Sequence, residues 1–404
     1  MSQGLRAFAG VDEVYGSIET AARANPLQPF NDVTLSFLGE VSRELRKMSS
    51  IREHSDLATL AFWCRPKRLD YLKSQYKDIG SRLGVGSVFH VSPGNVPLTF
   101  FYSYIFSLLT GNSSIVRMPS VNFPQSKVLL EVVGKILSSD MYSDVRERTC
   151  FINYERDDVI SADISSLVDA RMIWGGDETV KNFKRFETKL RCRDLVFPNR
   201  VSVSMINADS VLKLNEIDLH SLASRFCSDA LEFDQNACSS PRLLLWIGNS
   251  DVVTASKELF WNEVDRSALI SYPKVDSTES EKFIQNAHIV CDLTSVELNH
   301  RKLARIDVFE LGEVCSEIEN LPIMFGTFVQ VSNHSPQNAL RNLSEKYQTL
   351  TYFGFERDEV ELAVYQSGSR GIDRVVPIGS ALDMGLYWDG YDVVSQLTRR
   401  IEIQ

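Results

Sequence analysis

The sequence lacks the residue patterns of disulfide-rich, metal-binding and nucleic-acid-binding proteins. Its seven cysteines are scattered and odd in number, and no two form a C-x-x-C pair, so neither a disulfide framework nor a zinc site is expected. The six histidines show no H-x-x-x-H spacing, and we predict no metal. A net charge of -10 at pH 7 argues against a nucleic-acid partner or binding to an anionic membrane surface.

Long hydrophobic runs are also missing. The longest apolar-rich stretch, 96–109, is interrupted by Thr99, Ser103 and Ser107 and is shorter than a bilayer-spanning helix needs. It is typical of a buried core helix. The first residues, Met1–Arg6, lack the apolar centre of a signal peptide. With no membrane span and unpaired cysteines, we expect a cytoplasmic protein.

What the sequence does contain is an alternation of strand and helix patterns. Its 404 residues, 44% hydrophobic and 24% charged, are enough for more than one domain. Residues 11–80 show the spacing of amphipathic helices, and strand and helix patterns alternate from there on. This predicts an α/β fold with parallel, doubly wound sheets in two lobes.

The predicted elements can be stated with their limits. In the first lobe we predict strands at 83–91, 114–117, 149–154 and 170–174 and helices at 125–138 and 178–190. In the second lobe we predict strands at 243–247, 289–291, 325–331 and 349–355. We place the boundary near residue 205, which gives domains at 1–205 and 206–385 and a C-terminal segment at 386–404 that is expected to return to the first lobe.

Cys238 is the strongest candidate for chemistry. Most cysteines are buried structural residues, and we expect the other six to be so. Cys238 instead lies in Asn236-Ala-Cys-Ser-Ser-Pro241, a run of small and polar residues before a predicted strand. A catalytic thiol needs a partly exposed site that stabilises the thiolate. Nucleophile and structural thiol remain alternatives on this evidence.

Asn95 is the second candidate. It lies in the turn Ser92-Pro-Gly-Asn-Val-Pro97, at the end of an apolar strand. Asn is common in turns because it tolerates turn geometry, which is the structural alternative. As a functional residue, its amide would donate a hydrogen bond to an oxyanion formed when a thiolate attacks a carbonyl.

Several further residues are candidate ligands. Arg117 and Ser120 follow a predicted strand, where open α/β sheets bind ligands, and they suit a ribose or a 2′-phosphate. Gly175 and Gly176 separate a strand from a helix, which suits a pyrophosphate, although no G-x-G-x-x-G is present. We expect His90 to be a hydrogen-bonded core histidine and Glu232 a solvated residue, with proton transfer as the alternative for both.

Taken in order, these segments resemble the aldehyde dehydrogenase superfamily, and within it the acyl-CoA reductase branch typified by the LuxC-type fatty-acid reductases. The first of them, 84–97, resembles a strand that ends in a Pro-Trp-Asn-Phe-Pro turn, and 109–120 resembles a Gly-Asn…Lys-Pro-Ser segment with Arg117 in place of the lysine. The remaining similar segments are 174–177, 235–238, 368–379 and 388–391. The resemblance covers residues 80–400.

The resemblance implies an aldehyde-dehydrogenase-like fold with a cofactor-binding and a catalytic lobe. It implies catalysis by Cys238, with Asn95 in the oxyanion hole. It also implies NADPH (or NADH) as cofactor, bound by six residues: Ser92, Pro93, Arg117, Ser120, Gly175 and Gly176. The expected substrate is acyl-CoA or a protein-bound acyl thioester, which is reduced to an aldehyde. An acyl-activating partner enzyme and a homo-oligomer are both compatible with it.

One departure from the superfamily bears on the reaction. Aldehyde-oxidising members carry Glu-Leu-Gly-Gly-Lys before the nucleophile, and its Glu activates the deacylating water. The corresponding region here, Val196-Phe-Pro-Asn-Arg200, has no carboxylate. Without a base, thioester hydrolysis is slow, which favours acyl-thioester reduction. Aldehyde oxidation and an inactive acyl-binding scaffold remain the alternatives.

Overall fold

The computed structural model describes residues 8–273, 275–293 and 298–404. The segment Met1–Arg6, on which the signal-peptide prediction rests, lies outside these residues. The described chain divides into two compact units: one comprises the chain up to Pro198 together with Gly385–Gln404, and the other comprises Asn199–Met384.

The elements alternate along most of the chain. The helices are α1 (Ile18–Arg23), α2 (Asp32–Lys47), α3 (Ser55–Trp63), α4 (Pro66–Ser74), α5 (Thr99–Leu109), α6 (Pro124–Leu137), α7 (Ser143–Glu147), α8 (Asp158–Leu167), α9 (Asp177–Lys184), α10 (Ala208–Leu212), α11 (Glu216–Leu231), α12 (Ser250–Ser271), α13 (Asp276–Asp292), α14 (Pro336–Arg341), α15 (Arg357–Ser367) and α16 (Val393–Gln396). The strands are β1 (Asp12–Tyr15), β2 (Arg82–Gly84), β3 (Ser87–Val91), β4 (Ser113–Arg117), β5 (Thr149–Asn153), β6 (Ala170–Trp174), β7 (Arg193–Phe197), β8 (Val201–Asn207), β9 (Pro241–Ile247), β10 (Leu298–Lys302), β11 (Asp307–Leu311), β12 (Thr327–Asn333), β13 (Tyr347–Phe353), β14 (Arg374–Pro377), β15 (Tyr387–Trp388), β16 (Tyr391–Asp392) and β17 (Thr398–Arg400).

The first unit contains a doubly wound sheet in the order β1-β5-β4-β3-β6-β7. All pairings are parallel except that of β1 with β5. The chain runs outward from β3 through β4 to β5 and then returns to the other side of β3 with β6. In such sheets, ligands bind outside the carboxyl ends of the strands at this reversal point.

The second unit has a larger sheet in the order β10-β11-β12-β9-β8-β13-β14. It too is parallel except for its edge strand β10. Apolar side chains cover both of its faces. One face packs Phe226 and Trp261 against Phe328, with ring centroids 5.3 and 5.1 Å away. The other face buries Ile289, Leu340 and other residues of α13, α14 and α15. Burial on both faces explains why the central strand β9 is continuously apolar from Leu243 to Ile247.

The predicted core helix is confirmed. Helix α5 begins at Thr99, and every residue from Phe100 to Leu109 is buried. No helix in the described part of the chain has the length and apolar character needed to cross a membrane.

Four sequence-based predictions need correction. The strand predicted at 83–91 is broken at Gly86, which has φ +138°; β2 pairs antiparallel with β17, and only β3 joins the parallel sheet. The run 289–291 is the end of helix α13, whose buried residues Lys282, Gln285 and Ile289 follow helical spacing. The helix predicted at 178–190 ends at Lys184. Residues 11–80 include the strand β1 as well as helices.

The junction between the units lies before the predicted boundary at 205. Strand β7 ends at Phe197 in the first sheet, and β8 begins at Val201 in the second. Only Pro198, Asn199 and Arg200 separate them, so the chain changes sheets within a short turn. The C-terminal segment from Gly385 belongs to the first unit.

A single buried amide ties three segments of the first unit together. Asn112 Oδ1 accepts the Gly86 N–H at 2.9 Å, and its Nδ2 donates to Thr110 Oγ1 at 2.8 Å and to the Leu397 carbonyl at 2.9 Å.

We expect Asn112→Ala to lower the free energy of unfolding by about 3 kcal/mol, because a buried N–H and a buried C=O lose their partner. Urea unfolding of the full chain measures this loss. Asn182→Ala, which removes an exposed amide bonded to Asp158, is the control, and an equal loss in both variants would contradict the prediction.

Candidate active site

The carboxyl ends of β3, β4 and β6 bring the predicted cofactor residues to one edge of the first sheet. Strand β3 pairs in parallel with both β4 and β6. Ser92 and Pro93 follow β3, Arg117 ends β4, and Gly175 follows β6. Because like ends of parallel strands lie at the same edge, these residues lie at one edge of the sheet although they are far apart in the sequence. They are therefore candidates to bind the same ligand.

The turn after β3 contacts the segment after β4. A Cβ placed on Gly94 would lie 3.5 Å from Ser120 Oγ, so the two predicted motifs meet here. Asn95, on the same turn, is exposed. Ser92 Oγ is buried and has no hydrogen-bond partner among the described residues, which leaves a polar atom available to a ligand.

Arg117 is held in place by an aromatic ring. Its guanidinium lies 4.3 Å from the ring centroid of Tyr154, and Nη2 is 3.4 Å from the Tyr154 carbonyl oxygen. The residue is half-buried. A cation fixed in this way loses less conformational freedom when it binds an anion.

The two glycines after β6 differ in their surroundings. A Cβ on Gly175 would lie 3.1 Å from Thr179 Cβ, whereas one on Gly176 would meet nothing within 4 Å. Gly176 is the N-cap of α9, whose first turn carries Asp177 and Glu178. Open space at a helix N-terminus suits a phosphate, but these acidic side chains oppose one. Glu178 is offset by Lys181, whose Nζ is 2.8 Å from Oε1.

Cys238 lies in the second unit, on a turn at the amino end of β9, and is partly exposed. The residues before it have an unusual backbone. Phe233, Asp234 and Gln235 have φ values of 53°, 54° and 63°, so three consecutive non-glycine residues are left-handed. Such residues cost on the order of 1–3 kcal/mol each and cluster at functional sites. No residue type signals this strain in the sequence, since none of the three is a glycine.

A set of buried hydrogen bonds holds the strained turn. Gln235 is fully buried; its Oε1 accepts the Gly326 N–H at 2.7 Å, and its Nε2 donates to the Thr327 carbonyl at 3.1 Å. Tyr272 donates to the Asp234 carboxylate. The carbonyl of Cys238 itself accepts Ser202 Oγ at 2.7 Å. The turn that carries the thiol is therefore fixed from both β8 and β12.

Two arginines interact electrostatically with Cys238. Burial lowers the pKa of the Arg242 guanidinium, and the charge of Cys238 acts in the opposite direction. Burial also lowers the pKa of Arg374, against the charges of Asp383, Asp229 and Cys238. Neither arginine was singled out from the sequence. The spacing of Arg242, four residues after Cys238, was the only signal in the sequence that it could interact with the thiol. Arg374 is brought to the same edge of the sheet only by strand pairing.

The remaining cysteines differ in exposure. Burial raises the pKa of the buried thiols of Cys64 and Cys150, and raises that of Cys227 to about 12. Cys192 and Cys315 are half-buried, and burial raises their pKa as well. Cys291 is exposed, so the expectation that all six would be buried is wrong.

The two candidate proton-transfer residues occupy different environments. His90 is fully buried, and its Nδ1 is 2.7 Å from Ser103 Oγ. Burial lowers its pKa to about 3, so the ring is neutral at physiological pH. Its Nε2 has no hydrogen-bond partner among the described residues, so the expected hydrogen bonding is met at one nitrogen only. Glu232 is half-buried rather than fully solvated.

The segment Val196–Arg200, in which the sequence has no carboxylate, ends the first sheet. Val196 and Phe197 end β7, and the Phe197 ring stacks on Trp174 with centroids 3.8 Å apart. Arg200 forms an ion pair with Asp373. Across the described residues, no group of three or more His, Cys, Asp or Glu side chains is placed to hold a metal ion.

Comparison with known proteins identifies similar sequences. The family model described as "Acyl-CoA reductase (LuxC)" matches residues 46–400. The chain is 25% identical over 218 residues to a long-chain acyl-protein thioester reductase of Aliivibrio fischeri, covering 54% of this chain and 40% of that protein. It is 26% identical over 167 residues to long-chain acyl-protein thioester reductase 2 of Photobacterium leiognathi, covering 41% of this chain and 33% of that protein. The matched part therefore spans less than half of these relatives.

Solved structures share the fold. An NAD-dependent aldehyde dehydrogenase from Sinorhizobium meliloti superposes with a TM-score of 0.66 at 13% identity, covering 95% of this chain and 84% of that one. Aldehyde dehydrogenase 21 from Physcomitrella patens gives 0.64 at 13% identity, covering 95% and 88%. At this identity the likeness shows the fold alone, and it confirms the predicted aldehyde-dehydrogenase-like α/β class.

Gln235 provides a test of the strained turn. We expect Gln235→Leu to reduce the free energy of unfolding by about 3 kcal/mol, because the Gly326 N–H and the Thr327 carbonyl lose their partner. We also expect slower alkylation of Cys238 by iodoacetamide, measured by peptide mass spectrometry, since the turn relaxes. The matched control is Gln330→Leu, another buried glutamine of this unit, which accepts from Trp246 and Trp261. It should lose stability but keep the alkylation rate; an unchanged rate in Gln235→Leu would refute the link.

Proposed function

Because the chain belongs to the LuxC family of acyl-CoA reductases, we propose that it reduces a fatty acyl thioester to an aldehyde through a thioester on Cys238. The observation that carries this proposal is the placement of Cys238: a partly exposed thiol on a strained, braced turn that interacts with two arginines. Strain and positive charge are features of reactive rather than structural cysteines.

The first step is acyl transfer to the thiol. The Cys238 thiolate attacks the acyl carbonyl, a carbon–sulfur bond forms, and the bond to the donor sulfur breaks, so that the donor leaves as a thiolate that takes up a proton. We propose that the Asn95 amide and the Cys238 N–H donate to the oxygen that becomes negative during this attack. When bound, a reduced nicotinamide cofactor would supply a hydride to the acyl group, which would then leave Cys238 as an aldehyde.

The missing carboxylate favours reduction over hydrolysis. No acidic side chain occurs in Val196–Arg200, where aldehyde-oxidising relatives would carry one. His90, neutral and fully buried, is a poor substitute for an accessible base. Water attack on the acyl-enzyme is then slow, and the thioester persists until it is reduced.

The cofactor residues are proposed on the edge of the first sheet. The orphaned Ser92 Oγ, the fixed Arg117 guanidinium and the open space at Gly176 fit a dinucleotide. Pro93, Ser120 and Gly175 complete the set. We propose NADPH over NADH because the Arg117 guanidinium could pair with a 2′-phosphate.

The acyl donor is proposed from the relatives. Those of Aliivibrio and Photobacterium are named as reductases of acyl-protein thioesters. We therefore propose a long acyl chain delivered as acyl-CoA, on a carrier protein or by an acyl-activating partner enzyme. We place the reaction in the cytoplasm, where the free cysteines would stay reduced.

Acylation of Cys238 is tested by intact-protein mass spectrometry after mixing with long-chain acyl-CoA or an acyl-carrier protein, without cofactor. We expect one acyl adduct on the wild type and none on Cys238→Ala. NADPH should discharge the adduct as aldehyde. Asn95→Ala should form the same adduct about 10²-fold more slowly, the usual cost of one oxyanion donor.

Three outcomes would refute this proposal. An adduct that persists in Cys238→Ala would place the acyl group elsewhere. Steady production of free acid from an added aldehyde, with oxidised cofactor consumed and no thiol acceptor present, would indicate aldehyde oxidation. No adduct with any donor would indicate an inactive acyl-binding relative.

Arg117 tests the cofactor preference. We expect Arg117→Ala to raise KM for NADPH about tenfold, the value of one charge-assisted contact, and to leave KM for NADH nearly unchanged. Tyr154→Leu, which removes the ring beneath the guanidinium, should give a smaller change in the same direction. Steady-state kinetics with both cofactors measure this; equal changes for NADH and NADPH would contradict a contact with the 2′-phosphate.

A further inference from the structure

Cys238 does not lie at the N-terminus of a helix. Many reactive thiols lie at a helix N-terminus, whose dipole favours the thiolate. Here the turn after Cys238 leads directly into strand β9, and the helix that precedes it, α11, ends at Leu231. The helix that precedes Cys238 in the chain thus presents its C-terminus, which disfavours a negative charge. Nearby side chains are therefore the groups to consider as a source of positive charge.

The topology places both arginines that interact with Cys238 at this edge of the sheet, where Arg200, paired with Asp373, also lies. Strands β8, β9, β12, β13 and β14 run parallel, so their amino ends lie together. Arg242 is the second residue of β9 and Arg374 the first of β14. The acidic side chains on adjoining segments are Asp229 of α11, Glu232 and Asp234 of the strained turn, and Asp383 after β14.

Arg374 is already engaged by other groups. Its guanidinium donates to the carbonyls of Ala381, Ser380 and Asp383 at 2.5, 2.7 and 2.8 Å. Its favourable charge interactions are with Asp383 and Asp229 before Cys238. The carboxylate of Asp229 in turn accepts the N–H groups of Gly379 and Ala381 at 2.6 and 2.8 Å. Arg374 therefore fixes the segment after β14 and contributes to Cys238 only secondarily.

Arg242 is different. Its Nε is buried without a hydrogen-bond partner among the described residues, and Nη2 makes one long contact, 3.4 Å, to the Gln235 carbonyl. A guanidinium does not lose its proton in a protein, so a buried one requires a compensating anion. The charge that favours it is that of Cys238. The interaction is reciprocal: whatever the thiolate contributes to Arg242, Arg242 contributes to the thiolate.

We propose that Arg242 stabilises the thiolate form of Cys238 and so makes it reactive at neutral pH. Arg242 contacts neither substrate nor cofactor in this proposal; it acts through the sulfur. Because its Nη2 also bonds to the carbonyl of strained Gln235, it couples the charge of the thiol to the geometry of the turn. The consequence for catalysis rests on the proposed function, but the acidity of the thiol does not.

The test is the pH dependence of Cys238 alkylation by iodoacetamide, in the full chain and in a Cys291→Ser background that removes the exposed competing thiol. We expect the wild-type rate to follow a pKa below the ordinary value of about 8.5. Arg242→Gln should raise that pKa by about one unit or more and slow alkylation at pH 7 about tenfold. Arg242→Lys, which keeps the charge, should restore the wild-type pKa to within about half a unit.

The matched control is Lys257→Gln. Lys257 is a buried cation of the same unit, but its Nζ is paired with Glu310 at 2.5 Å. Lys257→Gln should lower the free energy of unfolding without changing the pKa of the Cys238 thiol. It therefore separates the general effect of removing a buried charge from a specific effect of Arg242 on Cys238. The ultraviolet absorbance of the thiolate, compared between wild type and Cys238→Ala, needs no Arg242 variant and stays informative if Arg242→Gln does not fold.

Three results would overturn the inference: a wild-type Cys238 that titrates at or above its ordinary value, an Arg242→Gln titration identical to that of the wild type, or an equal shift in Lys257→Gln. These are distinguishable from failure of the proposed function. A thiol made acidic by Arg242 that takes up no acyl group supports the inference and refutes the reductase. An acyl-enzyme that forms equally well in the wild type and in Arg242→Gln, with the same Cys238 titration in both, supports the reductase and refutes the role of Arg242.

Discussion

Parallel strand pairing is the constraint on which both candidate sites depend. Because like ends of parallel strands lie at one edge, the first sheet brings Ser92, Arg117 and Gly175 together at its carboxyl edge. The second sheet does the same at its amino edge for Cys238, Arg242 and Arg374. The usual rule that ligands bind at carboxyl ends fits the cofactor site proposed in the first unit. The thiol lies at the opposite, amino edge of its own sheet, where the preceding helix α11 ends rather than begins.

The thiol turn combines strain with unusually complete bracing. Left-handed Phe233, Asp234 and Gln235 would relax if they were not held, and the Gln235 amide, the Tyr272 hydroxyl and the Gly326 N–H hold them. Bracing by short, buried hydrogen bonds leaves few alternative positions for the sulfur. A nucleophile gains rate from such preorganisation because little movement is needed to reach the attacking geometry.

Local charge and total charge differ in this protein. The chain carries a net charge of -10, yet we propose an arginine beside each of two anions, Arg242 beside the Cys238 thiolate and Arg117 beside the cofactor. Arg117 is oriented by the Tyr154 ring, and Arg242 is oriented by burial. The net charge therefore bears on partners such as nucleic acid, which respond to the electrostatic field of the whole protein. It does not bear on the ligands of a local site.

The sequence by itself determined the α/β class, the buried helix α5 and the candidate status of Cys238, because strand and helix periods and local residue types are properties of short segments. It misassigned 289–291, where β-branched residues end a helix, since only packing decides which face of α13 is buried. It also missed the break at Gly86. For Arg242 the spacing from Cys238 was a local signal, whereas the places of Arg374 and of the Gln235 brace were decided by tertiary structure alone. Their roles depend on which strand ends are neighbours, and strand order is not written in any local pattern.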